Sequence, residues 1–258
     1  MSETRTEMPG GKGFIFRYRP NNNYTIDELK NNYIYFSKRQ QLNDPYDCYP
    51  GMLQISEDKY SLQKHLNRAL RTKPRDQRQG LKRHYESNNG EYKKLLDNEM
   101  SNILNNIGIA CFSDLPVNLM MWSQYGNFHK GICLQYELKD DPKFFSPIFE
   151  MSYKEELPKF IYNPDFNNDE IFFRVLSTKS RVWEGEREIR VFKSSFGKLN
   201  FKPACLRSIV FGINCDWEYM KEVIKATRHY PDLKIYRSRP HPTEFGLELQ
   251  EAQIDILS

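Results

Sequence analysis

The sequence predicts an α+β fold, a curved, mostly antiparallel (split) sheet with flanking helices and a helical-hairpin insertion, in a single domain over residues 1–258. Three observations carry that expectation. The first fifty residues read strand, short helix, strand, turn; residues 57–106 become polar and helical; from residue 109 onward short aromatic and β-branched segments dominate.

Residues 1–12 show no apolar pattern and are expected to be disordered. "FIFRYRP" (14–20) is a strand stopped by Pro20, and in "YTIDELKNN" Thr25 stands three places before Glu28, the capping-box spacing that opens a helix. "YIYFSK" (33–38) is a second strand, and "LNDPYD" (42–47) is a turn, because Asn43, Asp44 and Pro45 favour turn dihedrals and Asp47 closes the motif. Across 57–106, Tyr60, Leu62, Leu66 and Leu70 recur near helical spacing, with breaks at Pro74 and "SNNG" (87–90); Leu95, Leu96, Met100, Ile103 and Leu104 then repeat the pattern up to Gly108. "IACFS" (109–113) is a buried strand, "NLMMWSQYG" a turn or two of helix, and "GICLQYEL" (131–138) alternates Ile132, Leu134, Tyr136 and Leu138 against Cys133, Gln135 and Glu137. After "EMSYKEEL" and a loop rich in Asn, Asp and Pro (163–169), "RVWEGEREIRVFK" (181–193) reads as one continuous strand. "SIVFGINC" (208–215), a helix near 216–228, "LKIYRS" and a strand near "ELQEAQIDIL" complete the chain.

A hydrophobic share of 39%, 16 Tyr and 17 Phe imply a folded core with rings to spare for planar ligands. The five cysteines, Cys48, Cys111, Cys133, Cys205 and Cys215, are scattered and never spaced C-x-x-C, so neither a disulfide scaffold nor a metal site is expected. No stretch approaches 18 apolar residues and no apolar leader opens the chain, which points away from a membrane and toward a cytoplasmic protein with reduced thiols; the oligomeric state stays open. The net charge of +4 is unevenly spread: residues 64–83 hold eight Lys or Arg, Arg68, Arg71, Arg75 and Arg78 among them, against the single acid Asp76. Such a segment is either a solvated helix face or a contact for nucleic-acid phosphates.

Period-two geometry on 181–193 would put Glu184, Glu186, Glu188 and Arg190 on one face. Adjacent carboxylates repel, so they form a solvated face paired with Arg190, or they line a cleft and do acid, base or cation-stabilising work. Trp122, Tyr125, His129 and Lys130 come from one short helix and its following turn, so Tyr125, His129 and Lys130 are expected to face a cleft shared with the glutamates, with Met121, and Trp122 unless it lines the site, packed inward. Arg17 and Arg19 share a strand face, as surface charge or as a forked grip for phosphate. Asp44 and Asp47 offer oxygen ligands, but a turn that bonds its own backbone satisfies them equally well.

Together the N-D-P-x-D turn (Asn43 to Asp47), the M-W-S-x-Y-x-x-x-H-x-G block (Met121 to Gly131) and the W-x-x-E-x-E-x-R segment (Trp183 to Arg190) resemble a bacterial family of domains of unknown function, DUF2971. More distantly, the order of elements is similar to the split sheet of ADP-ribosyltransferases. That resemblance implies NAD as substrate, Arg17 at the nicotinamide ribose, Trp122 or Tyr125 stacked on nicotinamide, and Glu188, with Glu186 beside it, at the oxocarbenium-like centre. It implies transfer of ADP-ribose to a protein or nucleic-acid acceptor, in a toxin or phage-defence setting. A nucleic-acid-binding or processing protein using the basic insert, and a non-catalytic nucleotide or peptide module built on the aromatic block, are the alternatives.

Overall fold

A computed structural model describes residues 13–56, 58–162 and 169–252. The expected disorder at 1–12, the loop at 163–168 and the end of the last strand candidate lie outside the described residues.

Strand β1 (Phe14–Arg19), helix α1 (Asn23–Lys30) and strand β2 (Tyr33–Phe36) open the chain. Strand β3 (Leu53–Ile55) precedes helices α2 (Lys59–Ala69), α3 (Arg75–Ser87) and α4 (Asn89–Asn105). Then come β4 (Gly108–Ser113), α5 (Leu119–Gln124), β5 (Ile132–Glu137), the short strands β6 (Ile148–Glu150), β7 (Ser152–Lys154) and β8 (Phe160–Tyr162), α6 (Asp169–Leu176) and β9 (Thr178–Ser180). Strands β10 (Glu188–Lys193), β11 (Gly197–Asn200) and β12 (Leu206–Phe211), helix α7 (Trp217–Ala226), and strands β13 (Lys234–Pro240) and β14 (Leu247–Glu251) follow. The class is α+β, as the sequence predicts. The chain divides into two compact units, one made of residues up to Ser37, Gly108–Met151 and everything from Trp183, the other of Lys38–Ile107 and Ser152–Val182.

The first unit carries an eight-stranded sheet in the order β14-β13-β12-β5-β1-β4-β10-β6, antiparallel throughout except for the β12–β13 pair. Strand β5 is buried along its whole length because both faces are covered. On one face Ile132, Leu134 and Tyr136 join Ile15, Phe112, Val191, Ile209 and Phe211 under α1 and α7; on the other, Cys133 joins Phe16, Tyr18, Val210 and Trp122. Strand β1 meets β5 along its full length, from Phe14↔Glu137 to Arg19↔Ile132, and β4 meets β10 from Glu188↔Ser113 to Lys193↔Gly108. Between these two sheet halves, β1 and β4 share only the pair Phe16↔Ser113. The sheet therefore has a seam at its middle.

Two local expectations are corrected. Helix α1 is capped by Asn22, whose side chain accepts from the Thr25 N–H at 3.0 Å, so Thr25 lies inside the helix and donates its hydroxyl to Pro20 O at 2.7 Å. Residues 181–193 are not one strand: Arg181–Glu186 form a 3-10 turn, Arg187 takes the left-handed conformation (φ 48°), and β10 starts at Glu188. In the 3-10 turn side chains repeat about every three residues instead of every two, so Glu184 is left exposed while Glu186, and Glu188 at the start of β10, are buried.

In the second unit β3 pairs with β8 and β7 with β9, both parallel. The expected breaks near Pro74 and Asn88 separate three helices, which pack around Leu66, Leu70 and Tyr92 with Leu81, Tyr85 and Leu95 at the edge. The Asn43–Asp47 segment is a turn: the Tyr46 N–H donates to Asp44 Oδ1 at 2.9 Å and the Asp47 N–H to Asp44 O at 3.0 Å. Asp47 is buried and lies 3.8 Å from Lys179 Nζ.

Candidate active site

Glu186, Glu188 and Arg190 are almost fully enclosed, at 1%, 4% and 0% exposure. Glu186 Oε1 accepts a 2.6 Å hydrogen bond from the Tyr125 hydroxyl, while both oxygens of Glu188 receive the Arg190 guanidinium, Nε at 2.6 Å and Nη2 at 3.0 Å. That two-bond fork holds the carboxylate plane in one orientation. Burial, then the bond to Glu186, pushes the Tyr125 phenol far above its ordinary range, so it stays a donor at any physiological pH. The Ser113 hydroxyl donates to Glu186 O at 2.9 Å. Because Phe16, Ser113 and Glu188 are register partners across β1, β4 and β10, Glu188 stands one strand from the seam.

The local sequence explains this placement. Asn118 caps α5 through the Met120 N–H (3.0 Å) and donates its amide to Gly185 O at 2.6 Å, which ties the 3-10 turn carrying Glu186 to the helix leading to Tyr125. Arg187 pairs with Asp114, and the Asp114 N–H donates to Arg187 O at 3.3 Å, fastening the left-handed residue to the end of β4.

The aromatic block divides. Trp122 has no exposed surface; its indole N–H donates to Pro116 O at 2.9 Å, Tyr18 meets it edge-on at 5.1 Å, and His129 stacks on it at 6.1 Å with 11° between the planes. Its ring faces therefore pack against protein, and the nicotinamide-stacking role set out for it has no surface to act on. Asn127, Phe128 and His129 are consecutively left-handed (φ 48°, 54° and 63°), and the turn ends at Gly131, where a Cβ would stand 2.1 Å from Arg19 O. His129 O accepts from the Asn214 N–H at 3.0 Å, beyond the end of β12, whereas Glu188 lies on β10. With β5, β1 and β4 between those two strands in the sheet order, the imidazole and the carboxylates do not share a site. Burial holds the His129 imidazole below its ordinary value of 6.5, and Lys130 is exposed.

Arg17 and Arg19 do not reach the carboxylates either. Phe16 shares its face with Glu188, so its neighbour Arg17 points to the opposite face. There Arg17 donates to Glu28 Oε1 at 2.6 Å and to Tyr35 O at 3.2 Å, and Arg19 Nε lies 2.8 Å from Glu28 Oε2. Neither of the two readings of this pair, surface charge or phosphate grip, survives: the guanidiniums are committed to a buried carboxylate, and Glu28 is their partner rather than half of a capping box. Asn43, Asp44 and Asp47 belong to the second unit, as do Arg68, Arg71, Arg75 and Arg78, all four of which are exposed. Sequence reasoning missed Ser113 and the Asp114–Arg187 pair; the serine that ends "IACFS" was the available signal.

Among the described residues no helix is long and apolar enough to cross a membrane. No curated protein and no solved structure matches the chain significantly. Residues 121–191, the span from the start of the aromatic block to the middle of β10 that contains Tyr125, Glu186, Glu188 and Arg190, match the model of the family described as "Protein of unknown function (DUF2971)".

Proposed function

We propose that the protein is an ADP-ribosyltransferase-like enzyme that cleaves NAD in the cytoplasm and transfers ADP-ribose to a macromolecular acceptor, with Glu188 and Glu186 as its carboxylates. The observation that carries the reading is the pair of oriented carboxylates beside the seam of a mostly antiparallel sheet. The N-glycosidic bond breaks with its electron pair going to the nicotinamide nitrogen, and positive charge develops on the ribose. A carboxylate fixed by the Arg190 fork stabilises that charge. Glu186, oriented by Tyr125, takes the proton of the acceptor nucleophile as the new bond forms. Arg17 has no part in this scheme, and both carboxylates are covered, so whatever covers them moves aside when substrate enters.

The test is nicotinamide release from NAD. Glu188→Gln is expected to lower the rate by about 100-fold or more. Glu186→Gln, which keeps an acceptor for Tyr125, is the second variant, because neutralising the partner of buried Arg190 also weakens the fold. Wild-type rates in two variants with intact melting transitions contradict the reading, as does a wild-type protein that leaves NAD whole.

The exposed cations of α2, α3 and the turn between them favour a second reading, nucleic-acid binding by the helical segment. Neutralising Arg68, Arg71, Arg75 and Arg78 together should flatten the salt dependence of duplex binding by about three to four logarithmic units of slope. An unchanged slope rules out this surface.

A further inference from the structure

The second unit contains an open cleft of about 720 Å³. We propose that it binds a nucleoside phosphate. Its size lies within the roughly 300–1,000 Å³ of ordinary small-molecule sites. Three cationic side chains, Arg39, Lys93 and Lys159, line it against one carboxylate, Asp97. They arrive from separate places in the chain: Arg39 from the turn after β2, Lys93 from α4, and Lys159 from the residue before β8. On α4, Lys93, Asp97 and Met100 follow at four and three residues and so present one helix face, while Tyr92 packs the other way among Leu66 and Leu70.

Hydrogen bonds to the protein hold Arg39 and Lys159. Arg39 Nε donates to Asn105 Oδ1 at 2.6 Å, fixing its guanidinium, and Lys159 Nζ donates to Gly51 O at 3.1 Å. Tyr49 provides a partly exposed ring on the same wall, seated so closely on Gly51 that a Cβ there would stand 2.3 Å from its Cε1. Positively charged walls select an anion, an aromatic edge selects a planar ring, and a lone carboxylate accepts from hydroxyls. Phosphate, base and ribose supply those features in one molecule. The site shares no residue with the carboxylate cluster, which belongs to the other unit, and does not depend on the reading given there.

Calorimetric titration with ADP tests the proposal. ADP should bind to the wild type, adenosine at least about tenfold more weakly, and Lys93→Gln and Lys159→Gln should each weaken ADP by about tenfold while melting as the wild type does. A 5′-phosphorylated tetranucleotide that competes with ADP and shows the same lysine dependence assigns the site to strand ends, and one that does not compete assigns it to free nucleotide; both keep the nucleoside phosphate. Absence of ADP binding, adenosine binding as tightly as ADP, or lysine variants that bind as the wild type does overturns the proposal.

Discussion

His129 shows how a residue with catalytic chemistry can be spent on structure. Its left-handed backbone, its stack on Trp122 and its partly buried surroundings make it a plug for the turn that leads into β5. Burial lowers its pKa, so the unfolded chain binds the proton at a higher pH than the folded one. The corresponding stability is fully present above about pH 6.5 and is lost as pH falls toward the folded value. His129→Asn keeps a residue type that tolerates the left-handed region and removes the titration. Its unfolding free energy should fall less steeply between pH 7 and pH 5, by at most one proton or about 1.4 kcal/mol per pH unit. His65, whose pKa burial also lowers, keeps the remaining dependence from vanishing. Equal slopes for variant and wild type would show that His129 does not titrate on folding. Tyr125 lies four residues earlier and has the opposite fate, since it alone of the aromatic block meets the carboxylates. Nothing in the residue order distinguishes these two outcomes; the direction each ring takes depends on which strand its turn docks against.

At the level of elements, β1 and α1 are joined by charge. Arg17 and Arg19 are taken up by a single buried glutamate, and Tyr136 Oη and Tyr230 lie in the same apolar layer. Glu28→Gln leaves two guanidiniums against one neutral amide and should cost about 3–5 kcal/mol, read as a shifted urea midpoint with an unchanged slope. A loss below about 1 kcal/mol would mean that water already solvates the pair. Most strands were legible in the sequence because alternation and aromatic content mark β1, β4, β5 and β12 directly. The segment at 181–193 was misread for a physical reason: its polar and apolar residues alternate, yet Arg187 can adopt a left-handed conformation once Asp114 holds its side chain and backbone. The glutamates were found by spacing even though the strand invoked to align them begins only at Glu188. The spacing of Thr25 and Glu28 misled in the opposite sense, since Asn22 was the nearer cap and Glu28 had a long-range partner.

Across the whole chain, two units carry two different kinds of chemistry. The unit with the large sheet holds acidic residues at a seam, and the unit with α2, α3 and α4 holds an exposed basic face and a cationic cavity. The uneven charge foretold the basic face. The cavity was not legible, because Arg39, Lys93 and Lys159 are far apart in sequence and no periodicity links them. The family match runs over the segment that supplies both Tyr125 and the glutamates, but not over β1, where the likeness to a transferase had placed a binding residue that faces the other way. The most direct test of the proposed activity uses NAD labelled in its adenylate, incubated with an extract and either the wild type or the folded double variant Glu186→Gln/Glu188→Gln. The expected result is label in the macromolecular fraction with the wild type and none with the variant; equal labelling by both proteins, or intact NAD with the wild type, contradicts it.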